Sequence, residues 1–279
     1  MAGLVLEGGT LRPIFSCGVM DALLDNDIMF PYIIGVSAGI TDAFSYVSKQ
    51  KERNLKVLEK YRHDKRYIGW GNFRKYKSLF GLDFVYDQVP NTLEVFDWDT
   101  FRQYNGKILV GVTNARTGHI EYMDGMQLDN KYTMLRATCA IPLLFPPIVI
   151  NGTPYYDGGL TAPIPIKQSI MDGNEKNLII LTRTRDYKKE LKKSNIIAAE
   201  TLEKKYPRIK NILLKRHIRY NKTVEFVNRL EKEGKALVLR PEYPLDSLEK
   251  DVDVLRQTNQ MGYDMAVKRM DEIASILNQ

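Results

Sequence analysis

Cysteine and histidine, the residues most often recruited for metal and redox chemistry, are scarce here: 2 Cys and 3 His in 279 residues. Cys17 and Cys139 are too few for a disulfide scaffold and fit a reducing compartment. Neither belongs to a Cys-x-x-Cys, and His63, His119 and His217 are scattered, so no metal and no cofactor is implied. Long hydrophobic runs are missing as well. The longest, Ala140 to Ile150, carries Pro142, Pro146 and Pro147 and falls short of the roughly 20 residues that cross a bilayer as a helix. Met1 to Leu6 has no basic leader and meets Glu7 at once, so no secretory signal is expected there. The expectation is a cytoplasmic protein. A P-loop and a G-x-G-x-x-G are also absent, which leaves a nucleotide-binding module without a fingerprint.

The remaining composition is that of a globular protein, 44% hydrophobic and 27% charged. A net charge of +7 is unevenly spread: Arg183 to Lys222 holds 14 Lys/Arg against 4 Asp/Glu. Such a stretch is either a solvated helix face or a contact for an anionic surface at the inner face of a membrane. No DNA- or RNA-binding motif accompanies it, so nucleic acid is not expected as a partner.

Apolar runs at Leu4–Leu6, Tyr32–Val36, Lys107–Val112, Asn177–Thr182 and Ala236–Leu239 predict buried strands, with another strand at His119–Met123. Helices are expected over Ser16–Asp25, after residue 36, over Glu52–His63, and as one or two helices within 251–277. Two β-α units in the first fifty residues indicate a parallel sheet with crossover helices. Residues 61–86 interleave aromatics with Arg and Lys, which suits either a lid at a lipid–water boundary or core with a wet edge. A separate appendage, if one exists, begins near residue 235.

Three glycine-rich segments carry the chemistry. Gly35-Val36-Ser37-Ala38-Gly39 follows an apolar strand and precedes a small-residue helix, the context of a nucleophile elbow. The sharp turn exposes Ser37, and a Cβ at either flanking glycine meets neighbouring backbone. Glu7-Gly8-Gly9-Thr10-Leu11-Arg12 follows the first strand and offers successive backbone N–H groups for an oxyanion. Asn151-Gly152, flanked by Ile148–Ile150 and Thr153–Tyr156, signals a type I′ hairpin whose second strand ends at Asp157-Gly158-Gly159. A serine nucleophile needs a proton acceptor. Only His217 lies far enough downstream for the order Ser, acid, His, and its neighbours Lys215, Arg216 and Arg219 mark an exposed basic helix. Asp157 is therefore the better candidate.

In this order the three segments resemble the patatin-like phospholipase family, supported by Phe15–Asp21 after the first loop and by Ala137–Pro142 and Phe145–Pro147 before Asp157. The likeness covers about residues 3–185. It implies a three-layer α/β/α fold with a mainly parallel sheet, a catalytic core over 1–190, and a small helical or αβ extension over 191–279 packed on it. It also implies hydrolysis of lipid esters, phospholipid or lysophospholipid, by a Ser37–Asp157 dyad, with the Gly9–Leu11 backbone holding the oxyanion and Gly8 and Arg12 matching the loop. Thr10 and Pro13 stand where the family has glycines. Thr10 keeps its N–H, whereas Pro13 has none to donate. That departure motivates a second reading, a catalytically weak or silent lipid- or partner-binding member of the same fold.

Overall fold

The apolar runs become strands in a computed structural model that describes residues 2–277. Eight strands form one sheet: β1 (Ala2–Leu6), β2 (Tyr32–Val36), β3 (Lys107–Asn114), β4 (Ile120–Asp124), β5 (Ile148–Ile150), β6 (Thr153–Asp157), β7 (Lys176–Ile180) and β8 (Ala236–Leu239). The first helices are α1 (Ile14–Asp25), α2 (Ser37–Val47), α3 (Arg53–Tyr61), α4 (Asn72–Tyr76), α5 (Trp98–Arg102) and α6 (Thr133–Thr138). After them come α7 (Ile166–Met171), α8 (Lys193–Leu202), α9 (Pro207–Lys232), α10 (Val252–Lys268) and α11 (Met270–Leu277).

Strands β8, β7, β1, β2 and β3 lie side by side and parallel. Alternate residues point to opposite faces, and helices cover both. Leu4, Leu6, Ile33, Val110 and Ile180 pack with α1, α2 and α10. Val5, Ile34, Leu109, Ile179 and Val238 pack on the other face with Ile166 of α7 and with Tyr220 and Val227 of α9. The result is the three-layer α/β/α arrangement. β8, at the point where an appendage would begin, instead pairs with β7. α10 crosses α1 so closely that a Cβ at Gly18 would strike the Asn259 carbonyl and one at Gly262 the Phe15 carbonyl.

The end of β3 brings two distant strands together. Gly111 pairs with Val36 of β2 and Tyr122 of β4, and Val112 pairs with Asp157 of β6 and Glu121 of β4. Because β4 holds one edge throughout, β2 and β6 share the other edge, meeting end to end. Their last residues, Val36 and Asp157, therefore occupy consecutive rungs on β3.

The aromatic and basic stretch is half core and half surface. Tyr67, Leu79 and Phe84 are buried, whereas Trp70, just before α4, is 78% exposed. It leads into a π-helical segment, Phe84–Leu93, that contains Pro90. Neither a 3.6 nor a 2.0 period describes that segment, so pattern reading passes over it. No helix among the described residues is long and apolar enough to cross a membrane.

Candidate active site

Ser37 ends the turn between β2 and α2 with φ +56°, a left-handed conformation that side chains other than glycine rarely adopt. The turn is held from inside. The Ser37 N–H donates to Thr138 Oγ1 at 2.8 Å, and that hydroxyl donates to the Gly111 carbonyl at 2.6 Å. Gly39, one turn into α2, admits the Glu7 carbonyl where a Cβ would collide with it. The first loop and the elbow are thereby pressed together, with Gly8 lying against the Ser37 side chain.

Asp157 arrives from the hairpin. Asn151 and Gly152 have φ +48° and +77°, the two positive values that a type I′ turn requires. Asp157 is 3% exposed, and its Oδ1 accepts the Gly159 N–H at 2.6 Å. Gly158 packs on the Gly111 carbonyl with no room for a Cβ, so the hairpin seats fully on β3. Burial pushes the Asp157 carboxyl above its ordinary pKa. Arg216, the nearby Ser37 hydroxyl, the Gly159 N–H and Lys189 pull the other way.

The first loop is more selective about its donors than its sequence implies. Thr10 has φ +60°, so it occupies the left-handed position that a glycine would fill. Leu11 is a correction to the expected donor set: its N–H is bound to the Ser247 carbonyl at 3.2 Å. The Arg12 N–H is likewise engaged, closing a turn to the Gly9 carbonyl at 3.2 Å. Only the Gly8, Gly9 and Thr10 N–H groups lack a partner among the described residues of this loop. Pro13 falls at the N-terminal boundary of α1, where a missing N–H is no loss to the helix. Glu7 fastens the loop to the segment just past β7 by accepting the Thr182 N–H at 2.7 Å, and the Thr182 hydroxyl donates to the Gly8 carbonyl at 3.0 Å.

Ser37, Asp157 and residues Glu7–Arg12 line one cavity of about 580 Å³ at the carboxyl ends of β1, β2 and β7, the position where open α/β sheets take ligands. Its apolar lining includes Leu58, Phe80, Tyr86, Val89, Leu135 and Phe145. The π-helical segment supplies Tyr86 and Val89, and Phe80 stacks on Phe145 with centroids 5.7 Å apart. None of the three histidines is part of the lining.

Sequence reasoning missed Thr138, Lys189 and Arg216. Thr138 stands in a segment whose one signal is its family resemblance. Arg216 reads as part of an exposed basic helix, yet it falls three residues after Leu213 and four before Tyr220, both buried. That spacing puts it on the inner stripe of α9 and was the available signal.

The three-layer α/β/α sheet thus brings Ser37, the buried Asp157 and the glycine-rich first loop to one cavity at its strand ends. The chain belongs to the patatin-like phospholipase family, whose model matches residues 4–170. A second model, a domain of unknown function (DUF6363), matches residues 206–278. The chain is similar to the uncharacterized protein YjjU of Escherichia coli (strain K12), 25% identical over 183 residues, covering 64% of this chain and 51% of that one. It is also similar to the probable lipid hydrolase 463L of Invertebrate iridescent virus 6, 26% identical over 196 residues, covering 62% and 65%. It thus spans about half the length of the first and less than two thirds of the second. VipD from Legionella pneumophila superposes with a TM-score of 0.46 at 14% identity, over 97% of this chain and 67% of that one.

Proposed function

We propose that the protein is a serine lipid acyl hydrolase that cleaves carboxylic esters of phospholipids or lysophospholipids. Membership of a phospholipase family and likeness to a probable lipid hydrolase support lipid hydrolysis. The observation that carries the finer reading is the end-to-end meeting of β2 and β6 on β3, which sets Ser37 and the buried Asp157 side by side on one cavity.

In the proposed reaction Ser37 Oγ attacks the ester carbonyl carbon while its proton passes to Asp157. The tetrahedral oxyanion is held by the Gly9 and Thr10 N–H groups, helped by the Ala38 N–H at the start of α2. Collapse breaks the ester bond, and the leaving alcohol takes the proton from Asp157. Water then attacks the acyl-serine, gives a proton to Asp157, and releases the fatty acid as that proton returns to Ser37. An ordinary carboxylate is a weak base, and burial of Asp157 brings it closer to the strength the step needs. Preorganised donors supply the larger share, since losing one typically costs about 2.7–4 kcal/mol.

Ser37→Ala is expected to abolish p-nitrophenyl butyrate turnover in a folded protein, and a fluorophosphonate probe is expected to label Ser37. Equal turnover in that variant overturns the reading. The rival, a silent lipid-binding member, draws on the strained Thr10. It predicts no labelling together with measurable binding to liposomes.

A further inference from the structure

Four cations crowd one wall of the cavity: Arg12 from the first loop, Arg183 just past β7, Lys189 on the next loop and Arg216 on α9. Three of them are held in place. Arg12 is only 9% exposed, with Nε donating to Thr182 Oγ1 at 3.4 Å. Lys189 is clamped by its backbone to the Asn221 side chain at 2.9 and 3.0 Å, and its ammonium rides 4.4 Å from the Tyr220 ring centroid. The Arg183 guanidinium sits 4.3 Å from the Tyr187 centroid.

These charges are only partly offset within the protein, by Glu7 near Arg12 and Lys189 and by Asp157 near Arg216. None of the four is in an ion pair among the described residues. Arg183 Nε and Arg216 Nε are buried with no hydrogen-bond partner. Four carboxylates share the cavity with them, of which Asp42 lies beside Arg53 and Cys17. Glu7 accepts the Thr182 N–H, Asp157 belongs to the proposed dyad, and Glu190 is exposed. Burial, then the neighbouring Arg216, pushes the Lys189 ammonium down to about 7, and burial and Arg183 lower Arg12. Grouped cations withdrawn from water destabilise a fold unless something supplies the countercharge.

We infer that this wall binds the phosphate of the substrate headgroup, so that the enzyme selects lipids with a net-negative headgroup over zwitterionic choline lipids. The inference rests on the hydrolase reading above. Guanidinium forks match phosphate oxygens, and several donors in different planes suit its tetrahedral shape. A choline group brings a fixed positive charge toward four others, which turns the same wall into a barrier. The apolar lining of the same cavity suits the acyl chain, which points to a lipid phosphate instead of the free ion. Arg183, Lys189 and Arg216 all come from the stretch that reads as a surface patch in the sequence, so part of that stretch faces the substrate.

The test compares kcat/KM for decanoyl lysophosphatidate, lysophosphatidylglycerol and lysophosphatidylcholine, all monomeric, each normalised to p-nitrophenyl butyrate on the same variant. At least about a tenfold preference for the two anionic lipids is expected, the size of one charge-assisted hydrogen bond. Arg183→Met and Arg216→Met are each expected to shrink that preference about tenfold, with Arg216→Lys restoring part of it. Equal values for the three lipids, or parallel losses on all substrates, overturn the assignment. Calorimetric titration of the Ser37→Ala protein with the same lipids and with inorganic phosphate reads the wall without turnover. Lysophosphatidate binding more tightly than both lysophosphatidylcholine and phosphate supports it. Inorganic phosphate binding as tightly as lysophosphatidate gives the wall to the free ion and overturns the headgroup role. A wild type that leaves p-nitrophenyl butyrate intact sinks the hydrolase reading, while the titration still decides the wall.

Discussion

At Ser37 the demands of stability and of the proposed chemistry oppose each other. A left-handed L-residue costs roughly 1–2 kcal/mol, and glycine escapes most of that. Ser37→Gly is therefore expected to be about 1 kcal/mol more stable than Ser37→Ala in chemical denaturation, with both inactive. Equal stabilities would mean that the backbone at the elbow carries no strain. In the proposed reaction Asp157 sets the pH response. It accepts a proton only when ionised, and burial raises its pKa, so activity falls on acidification at a higher pH than an ordinary carboxylate would give. Arg216 is the strongest of the influences lowering that pKa. Arg216→Met is expected to move the acid limb of kcat/KM for p-nitrophenyl butyrate to higher pH. Ser37 and Asp157 are legible in the sequence because turns that need glycine or asparagine announce themselves locally. Arg216 is less so, since its placement depends on which side of a 26-residue helix is inward.

Among the elements, the hairpin and the first β-α units follow from local chemistry, and their observed bounds differ from the expected ones by a few residues. Contacts between distant elements do not. The π-helical segment obeys neither common period, and the donor lost at Leu11 goes to Ser247, 236 residues further along the chain. The crossing of α1 and α10 is hidden for a related reason: glycine against a carbonyl leaves no apolar pattern. Gly262→Ala would force the two helices apart, and overpacking of this kind typically costs about 1–3 kcal/mol. A drop in the denaturation midpoint is expected, and an unchanged midpoint would mean that the helices yield without penalty.

For the whole molecule, the basic stretch divides into two populations. Arg183, Lys189 and Arg216 line the cavity, while Lys188, Lys193, Lys204, Lys205 and Lys215 are exposed. Exposed lysines near an anionic surface contribute about 1 kcal/mol each and lose it to salt. Sedimentation with phosphatidylglycerol vesicles is expected at low salt and is expected to fade by about 0.5 M salt. Phosphatidylcholine vesicles should leave the protein in the supernatant at every salt concentration. Binding indifferent to salt would argue for anchoring through Trp70 and its aromatic neighbours.

Consecutive rungs on one strand have an evolutionary corollary. Sliding β6 by a single position would carry the carboxylate about 3.3 Å along β3 and swing it to the opposite side of the sheet. Variation in length is therefore affordable at the Asn151-Gly152 tip, where nothing crowds Gly152, but not between Thr153 and Asp157. Descendants of this chain can lengthen that tip, while an odd-numbered insertion within the arm below it carries Asp157 away from Ser37.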